Sequence, residues 1–113
     1  MSADCLFCKI AKGQIPSTQV YSDDEYYAFR DINPAAPTHI LIVPRKHIDK
    51  VASAGREESA VLGNLLLTAN EIAKREGLTD FRYVINNGAQ AGQSVFHIHL
   101  HLLAGRDFGW PPG

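Results

Sequence analysis

Near its carboxyl end the chain alternates histidine with aliphatic residues, from His97 to Leu102. Successive side chains of a β-strand point to opposite faces of the sheet, so a period of two predicts a strand with three imidazoles on one face. Burying three titratable rings is costly without polar partners, and such a face is therefore more typical of a functional site than of a core. We predict a strand over residues 95–103 whose histidine face carries the chemistry.

A single metal ion held by all three of these histidines is disfavoured by geometry. Residues four apart on a strand are separated by ~13 Å along its axis, whereas metal–nitrogen bonds are only ~2 Å long. A pair of histidines two residues apart can share an ion, but three in line cannot unless the strand bends. Histidine also acts as a nucleophile, a general acid or a general base near neutral pH. We therefore expect the three rings to divide their roles.

A glycine-containing loop, residues 88–94, lies directly upstream of the histidines. Small residues allow backbone N–H groups to approach an anion, and Ser94 adds a hydroxyl donor. The loop lacks the Lys-Ser/Thr element of a P-loop. Beside three histidines it predicts a phosphate site, with an ordinary flexible turn as the alternative.

Cys5 and Cys8 are the two cysteines of the chain. The amino-terminal residues lack the basic and apolar regions of a signal peptide, and the apolar run Ile40–Val43 is far shorter than the ~20 residues that span a bilayer. We therefore expect a soluble cytoplasmic protein. In a reducing compartment such a cysteine pair is more typical of a metal half-site or a redox pair than of a disulfide.

The remaining segments predict an α+β fold with an antiparallel sheet, in one domain spanning residues 1–113. Residues 4–12 form a short helix with Asp4 as its N-cap, and residues 57–76 form one long helix with an apolar stripe of period 3.6. Three further segments have strand character: 25–30, 38–43 and 81–85. A net charge of -1 argues against a nucleic-acid polymer as the partner.

The segment Gly92–Leu103 resembles the signature of the histidine triad (HIT) family, His-x-His-x-His followed by two apolar residues. Residues 29–34, 36–41 and 43–48 and the tail 110–113 resemble the nucleotide-binding-protein branch of that family. This resemblance covers nearly the whole chain. It implies a HIT-like fold, in which an antiparallel sheet with one long helix and a short N-terminal helix extends across a homodimer.

The resemblance also implies an activity, that of a purine nucleoside phosphoramidase. Such an enzyme hydrolyses the P–N bond of adenosine or guanosine 5′-phosphoramidates through a nucleotidyl-histidine intermediate and releases the nucleoside monophosphate. By this resemblance His99 is the nucleophile, and His101 and Ser94 hold the phosphate oxygens or the leaving group. His39 would lie behind the triad and orient it.

Further positions match the family's nucleotide-binding residues. Asn86 and the backbone of Gly92 and Gln93 would complete the phosphate site, and Asp31 would bind the ribose hydroxyls. Trp110 resembles a tail residue that reaches toward the active site, often that of the partner subunit; an exposed tail aromatic is the competing interpretation. Six residues match the apolar base pocket, and core packing is their alternative role: Leu6, Phe7, Ile10, Phe29, Ile32 and Leu41.

Many prokaryotic relatives in this family carry the Cys5-x-x-Cys8 pair, where it resembles half of a zinc site. His47 and His97 match the remaining ligands, and four Cys and His ligands suit one structural zinc ion per chain. Three alternatives stay open: His39 in place of His47, a thioredoxin-like redox pair, or cysteines without a metal.

Two other functions compete with the phosphoramidase. One is the hydrolysis of dinucleoside polyphosphates, as in the other main branch of the family. The other is a nucleotide-binding adaptor whose catalysis is vestigial. The tail and Ser94 favour the phosphoramidase over the first, and the presence of His99 and His101 argues against the second.

Overall fold

Two segments rich in aliphatic residues, 38–43 and 95–103, are predicted strands and contribute neighbouring strands to one five-stranded antiparallel sheet. The computed structural model describes residues 4–113, with the strands in the spatial order β1-β2-β3-β5-β4. The strands are β1 (Gln19–Ser22), β2 (Tyr26–Arg30), β3 (Thr38–Pro44), β4 (Phe81–Val84) and β5 (Leu100–Ala104). The helices are α1 (Leu6–Ala11) and α2 (Ser59–Arg75), and short 3-10 turns cover Val51–Ser53, Arg56–Glu58 and Ala89–Ala91.

The central strand β3 is apolar on both faces because both faces are covered. Ile40 and Ile42 pack in the cluster that includes the buried side of α2, whereas Leu41 and Val43 pack in the cluster that includes α1. This alternation follows from the pleat, in which neighbouring residues point to opposite faces. The α1 face is the one on which the histidines lie.

The long helix α2 covers the other face of the sheet. Its buried residues recur at helical spacing and pack against the aliphatic residues of the histidine segment. Those helix residues are Leu65, Ala69, Ile72 and Ala73, and their partners include Ile98, Leu100 and Leu102. The helix ends before Gly77, which has a φ of +72° and continues the chain in a left-handed turn. The predicted α+β architecture and long helix are confirmed.

The predicted N-cap of the first helix is wrong. Cys5, not Asp4, caps α1, because its Sγ accepts a hydrogen bond from the Cys8 N–H at 3.4 Å. The capping sulfur thereby turns toward Cys8. This arrangement brings both sulfur atoms to the same end of the helix.

The bounds of the predicted histidine strand are also wrong. The sheet ladder of β5 begins only at Leu100, which pairs with Ile42, and residues 97–99 precede it. Instead of joining β3, the Ile98 N–H donates to the carbonyl of Ile48 in the loop that follows that strand. The predicted sidedness still holds, since the Phe7 ring contacts both His97 and His99 at centroid distances of 6.3 and 4.9 Å.

Strand β1 was not predicted from the sequence, whereas β2, β3 and β4 agree with the predicted segments to within one residue at each end. The homodimer that the resemblance implies stays a prediction. Among residues 4–113, no helix combines the length and the apolar character that a membrane crossing requires.

The packing of α2 on the sheet predicts the cost of a cavity there. Leu65 is 1% exposed, so Leu65→Ala removes fully buried methyl groups and should lower the free energy of unfolding by about 2–5 kcal/mol. Lys74→Ala, on the exposed side of the same helix, should change it by less than about 0.5 kcal/mol. Urea denaturation followed by circular dichroism measures both. Equal effects of the two changes would contradict the packing described.

Candidate active site and metal centre

A cavity of about 380 Å³ lies on the α1 face of the sheet, between α1, the middle strands and the segment before β5. One end is lined by apolar side chains that include Phe7, Phe29 and Leu41, and the other by polar groups that include Ser94 and His99. An apolar slot with a few convergent polar groups is the usual form of a small-molecule site.

Ten of the predicted nucleotide-site residues line this cavity. They are Leu6, Phe7, Ile10, Phe29, Asp31, Ile32, Leu41, Ser94, His99 and His101. Ile32 is 91% exposed, so it forms the rim of the cavity rather than its floor.

Five lining residues were missed by the sequence interpretation: Ile15, Pro16, Ser17, Arg30 and Asn33. Ile15, Pro16 and Ser17 belong to the connection between α1 and β1, which has no hydrophobic period that could have revealed them. Arg30 and Asn33 are close in sequence to the predicted Asp31, and this closeness was the one sequence feature that could have identified them as lining residues.

Four predicted residues lie outside the cavity lining: Asn86, Gly92, Gln93 and Trp110. The Gln93 side chain folds the loop instead, since its Oε1 accepts from the Gly88 N–H at 2.8 Å and its Nε2 donates to the Asp49 carbonyl at 2.8 Å. Gly92 has a φ of +103°, which a glycine adopts at low cost. Trp110 is 84% exposed.

The hydrogen bonds of His99 determine which of its ring nitrogens carries the proton. Its Nδ1 lies 2.8 Å from the main-chain carbonyl oxygen of His97, and a carbonyl can only accept. The proton is therefore on Nδ1, and Nε2 keeps its lone pair. Burial lowers the pKa of His99 below its ordinary value, although the bond to His97 and the Asp31 charge oppose the shift. At neutral pH the ring is thus uncharged and nucleophilic.

A second chain of hydrogen bonds fixes His39 and His101. The Ala35 N–H donates to Nδ1 of His39 at 3.0 Å, so the His39 proton is on Nε2. That Nε2–H donates to Nδ1 of His101 at 2.9 Å, and the His101 proton is consequently on its own Nε2. His101 therefore has an N–H donor to offer a ligand in the cavity that it lines.

The register of the sheet explains why these two rings meet. His39 on β3 is directly opposite Leu103 on β5, which makes His101 its diagonal neighbour on the same face. Burial lowers the pKa of His39, an effect that Asp31 opposes. Burial, together with the nearby His99 and His39, lowers the pKa of His101 to about 4. Both rings are neutral at pH 7.

A cluster of two sulfur and two nitrogen atoms lies at the amino-terminal end of α1. The Nδ1 of His97 is 3.3 Å from Cys5 Sγ and 3.5 Å from Cys8 Sγ, and the Nδ1 of His47 is 3.5 Å from Cys8 Sγ. All four atoms lie within 4.8 Å of one another. His47, not His39, is the fourth member of this cluster, which answers the question that the sequence left open.

The chemistry of this donor set fits a tetrahedral metal ion. Nε2 of His97 donates to the Pro44 carbonyl at 2.7 Å, and Nε2 of His47 lies 2.8 Å from Asp49 Oδ1. With those protons on Nε2, the two Nδ1 lone pairs face each other across 3.2 Å, an arrangement that a cation bound to both nitrogens stabilises. Tetrahedral zinc, with bonds of ~2.0–2.3 Å, separates its donor atoms by about 3.3–3.8 Å. Outer hydrogen bonds of this kind orient metal-bound histidines.

Comparison with known proteins is consistent with the site. Residues 12–108 match the family model of the HIT domain. The chain is similar to the 14 kDa zinc-binding protein of Zea mays, with 53% identity over 111 residues that cover 96% of this chain and 87% of that protein.

Two solved structures are similar in fold and in sequence. A HIT family hydrolase from Legionella pneumophila Philadelphia 1 has a TM-score of 0.93 and 51% identity, covering 96% of this chain and 99% of that one. A histidine triad nucleotide-binding protein from Candida albicans has a TM-score of 0.77 and 34% identity, covering 95% of this chain and 82% of that one.

The lowered pKa of His101 predicts a pH dependence of stability. Between about pH 6.5 and pH 4 the unfolded chain binds a proton at this residue that the folded chain excludes, so folding weakens as the pH falls through that window. His101→Asn removes the titrating group and should make the dependence shallower. Urea midpoints of both proteins, measured from pH 7.5 down to pH 4.5, test this. Parallel curves would contradict it.

The cluster of donors predicts bound zinc. Protein purified without chelator should contain about one zinc ion per chain by elemental analysis. Cys8→Ala removes a ligand and should reduce the zinc content to a small fraction. His39→Ala changes a histidine that lies outside the cluster and should leave the zinc content intact. Absence of any metal from the unaltered protein, or equal loss in both variants, would refute the site.

Proposed function

This chain belongs to the HIT domain family, and from that premise we propose that it is a purine nucleoside phosphoramidase that releases nucleoside monophosphates such as AMP or GMP. The observation that carries the proposal is the state of His99, whose Nδ1–H is held by a carbonyl so that Nε2 is free to attack. The Legionella relative is named a hydrolase and the Candida relative a nucleotide-binding protein, and both names support the proposal.

In this proposal the nucleoside occupies the apolar end of the cavity. Phe7 and Phe29 meet edge to face at 5.5 Å and form, with Leu41, a slot that suits a flat purine. Asp31 accepts from the Asn33 N–H at 2.8 Å through Oδ1, which holds the carboxylate at the cavity wall. Its acceptor oxygens suit the two ribose hydroxyls. Because the slot is apolar, it stacks a purine without strongly selecting adenine over guanine.

The reaction proceeds in two displacements at phosphorus. In the first, Nε2 of His99 forms a bond to the α-phosphorus, the P–N bond to the amine breaks, and the amine departs after protonation. In the second, water attacks the nucleotidyl-histidine, the bond to His99 breaks, and the nucleoside monophosphate leaves. The first displacement has a better nucleophile than water, and the second has a better leaving group than direct hydrolysis would have, because the phosphorylated imidazole is cationic.

His101 and Ser94 are the proposed donors to the reacting phosphate. The Nε2–H of His101 and the Ser94 hydroxyl suit the phosphoryl oxygens or the departing nitrogen, and donors already aligned need no reorganisation during the reaction. His39 supports them indirectly, because its Nε2–H fixes the tautomer of His101. Asn86, Trp110 and the backbone of Gly92 and Gln93 stay predictions from the family resemblance, and the cytoplasmic localisation stays a prediction from the sequence.

The proposed cofactor is one zinc ion held by Cys5, Cys8, His47 and His97. With four protein ligands it would be a closed structural site, and its contribution is to tie α1 to the segment after β3 and to the segment before β5. The maize relative is named for zinc binding, which supports the choice of metal. His99 and His101 are left for the chemistry.

Substitution of the nucleophile tests the proposal. His99→Ala or His99→Asn should lower kcat/KM for adenosine 5′-phosphoramidate by about 10³-fold or more, because no covalent route remains. His101→Ala should cost less, about 10²-fold, because it removes a donor only. Calorimetry should show that AMP still binds each variant. Phosphoramidase activity that survives either change at His99 would refute the assignment.

A comparison of substrates separates the phosphoramidase from a dinucleoside polyphosphate hydrolase. The proposal predicts that kcat/KM for adenosine 5′-phosphoramidate exceeds that for diadenosine triphosphate by about tenfold or more, a difference of ~1.4 kcal/mol in activation free energy. The reverse order would support the polyphosphate hydrolase. Binding of AMP without turnover of either substrate would support the adaptor.

A further inference from the structure

His97 takes part in both sites at once. Its ring is fully buried, and the ring Nδ1 lies among the sulfur atoms and the His47 nitrogen of the metal cluster. Its main-chain carbonyl oxygen accepts the Nδ1–H of His99 at 2.8 Å. A single residue therefore links the metal cluster to the proposed nucleophile, with no intervening side chain.

The backbone around this link is not held by the sheet. Residues 97–99 precede the first ladder pair of β5, Ile42 with Leu100. The segment is instead tied by the Ile98 N–H to the Ile48 carbonyl and by the His97 ring to Pro44. The position of the His97 carbonyl consequently depends on how firmly its own ring is anchored, and the metal cluster is one of the two anchors of that ring.

We propose that His97 is a positioning residue that transmits the occupancy of the metal site to His99. The proposal rests on the phosphoramidase function and on zinc as the metal, and it adds that the bound ion holds the nucleophile in its reactive tautomer. A filled site thus sets the rate of the chemical step, beyond any effect on folding.

The physical basis is the facing pair of lone pairs in the cluster. A cation between the Nδ1 atoms of His47 and His97 turns their repulsion at 3.2 Å into two bonds. Without it, the hydrogen-bond donors within reach of these nitrogens are the weak S–H groups of Cys5 and Cys8, 3.3–3.5 Å away. They hold the His97 ring less firmly than a metal bond does, and a shift of that ring moves its carbonyl. The Nδ1–H of His99 then loses its acceptor, and the proton is free to move to Nε2, which is the nitrogen that attacks.

Most of the nucleotide cavity lies apart from the metal ligands. Phe29, Leu41 and Asp31 in its lining belong to β2, β3 and the turn between them, whereas Phe7 belongs to α1, which carries Cys8. Loss of the metal should therefore lower kcat by a larger factor than it weakens nucleotide binding. A merely structural zinc would affect both together, through unfolding.

The test compares zinc-loaded protein with chelator-treated protein, and His47→Ala with His47→Cys. The second variant keeps four ligands, so it should retain zinc and restore the behaviour of the unaltered protein. Four quantities are measured on each sample: zinc content, AMP affinity, kcat and KM for adenosine 5′-phosphoramidate, and the tautomer of His99 by ¹⁵N NMR of the imidazoles. The Nε2–H of His39, which donates to His101, is the internal NMR control.

We expect zinc loss to reduce kcat by about ten- to a hundredfold, the cost of a misplaced reacting group, and to change KM and AMP affinity by a smaller factor. The Nδ1–H signal of His99 should give way to a tautomer mixture while the signal of His39 persists, and His47→Cys should reverse both effects. An unchanged His99 tautomer in folded, metal-free protein would overturn the proposal. So would a kcat within twofold of the loaded value.

Two further outcomes are separable. If zinc-loaded protein fails to turn over the phosphoramidate, the proposed function fails, but the tautomer of His99 still tests the coupling. If metal-free protein does not stay folded, cadmium is exchanged for zinc in the unaltered protein. The larger ion should shift the His99 Nδ1–H resonance and leave that of His39 in place, and no shift at His99 would overturn the coupling.

Discussion

The Nδ1–H group of His99 donates to the main-chain carbonyl of His97 across 2.8 Å, and this bond determines which nitrogen of His99 keeps its lone pair. A neutral imidazole has one donor and one acceptor, so a single well-placed carbonyl is enough to fix the tautomer. The same logic continues from Ala35 through His39 to His101, where it produces the opposite tautomer. Two neighbouring histidines, with ring centroids 5.0 Å apart, thereby acquire complementary roles, one with an available lone pair and one with an available N–H.

The alternating sequence serves the core and the site together. Aliphatic residues of the histidine segment join the α2 cluster, while the histidines face α1 and the cavity. Because the core determines the pleat, it also determines the side on which the rings emerge. The metal cluster then joins the same segment to α1 through Cys5 and Cys8, so the short helix that lines the cavity and the strand that carries His101 are linked at one point.

Much of this was predictable from local pattern. A period of two identified the histidine face, and the spacing of Cys5 and Cys8 identified a metal half-site, because both depend on residues close in sequence. What could not be predicted depends on distant partners. β5 begins after Ile98, whose N–H donates to Ile48. The cap of α1 is a sulfur that lies among the other atoms of the metal cluster, and Gln93 bonds to Gly88 in its own loop and to Asp49 in a distant one.

The most direct test of the central claim is to trap the covalent intermediate. Intact-protein mass spectrometry of the enzyme, quenched during turnover of adenosine 5′-phosphoramidate, should reveal a species heavier by one adenylyl group. Peptide mapping should locate that group on His99, and the species should be absent from His99→Asn. An adenylyl group found on His101 or Ser94 would contradict the account, because the carbonyl of His97 would then not be what selects the nucleophile.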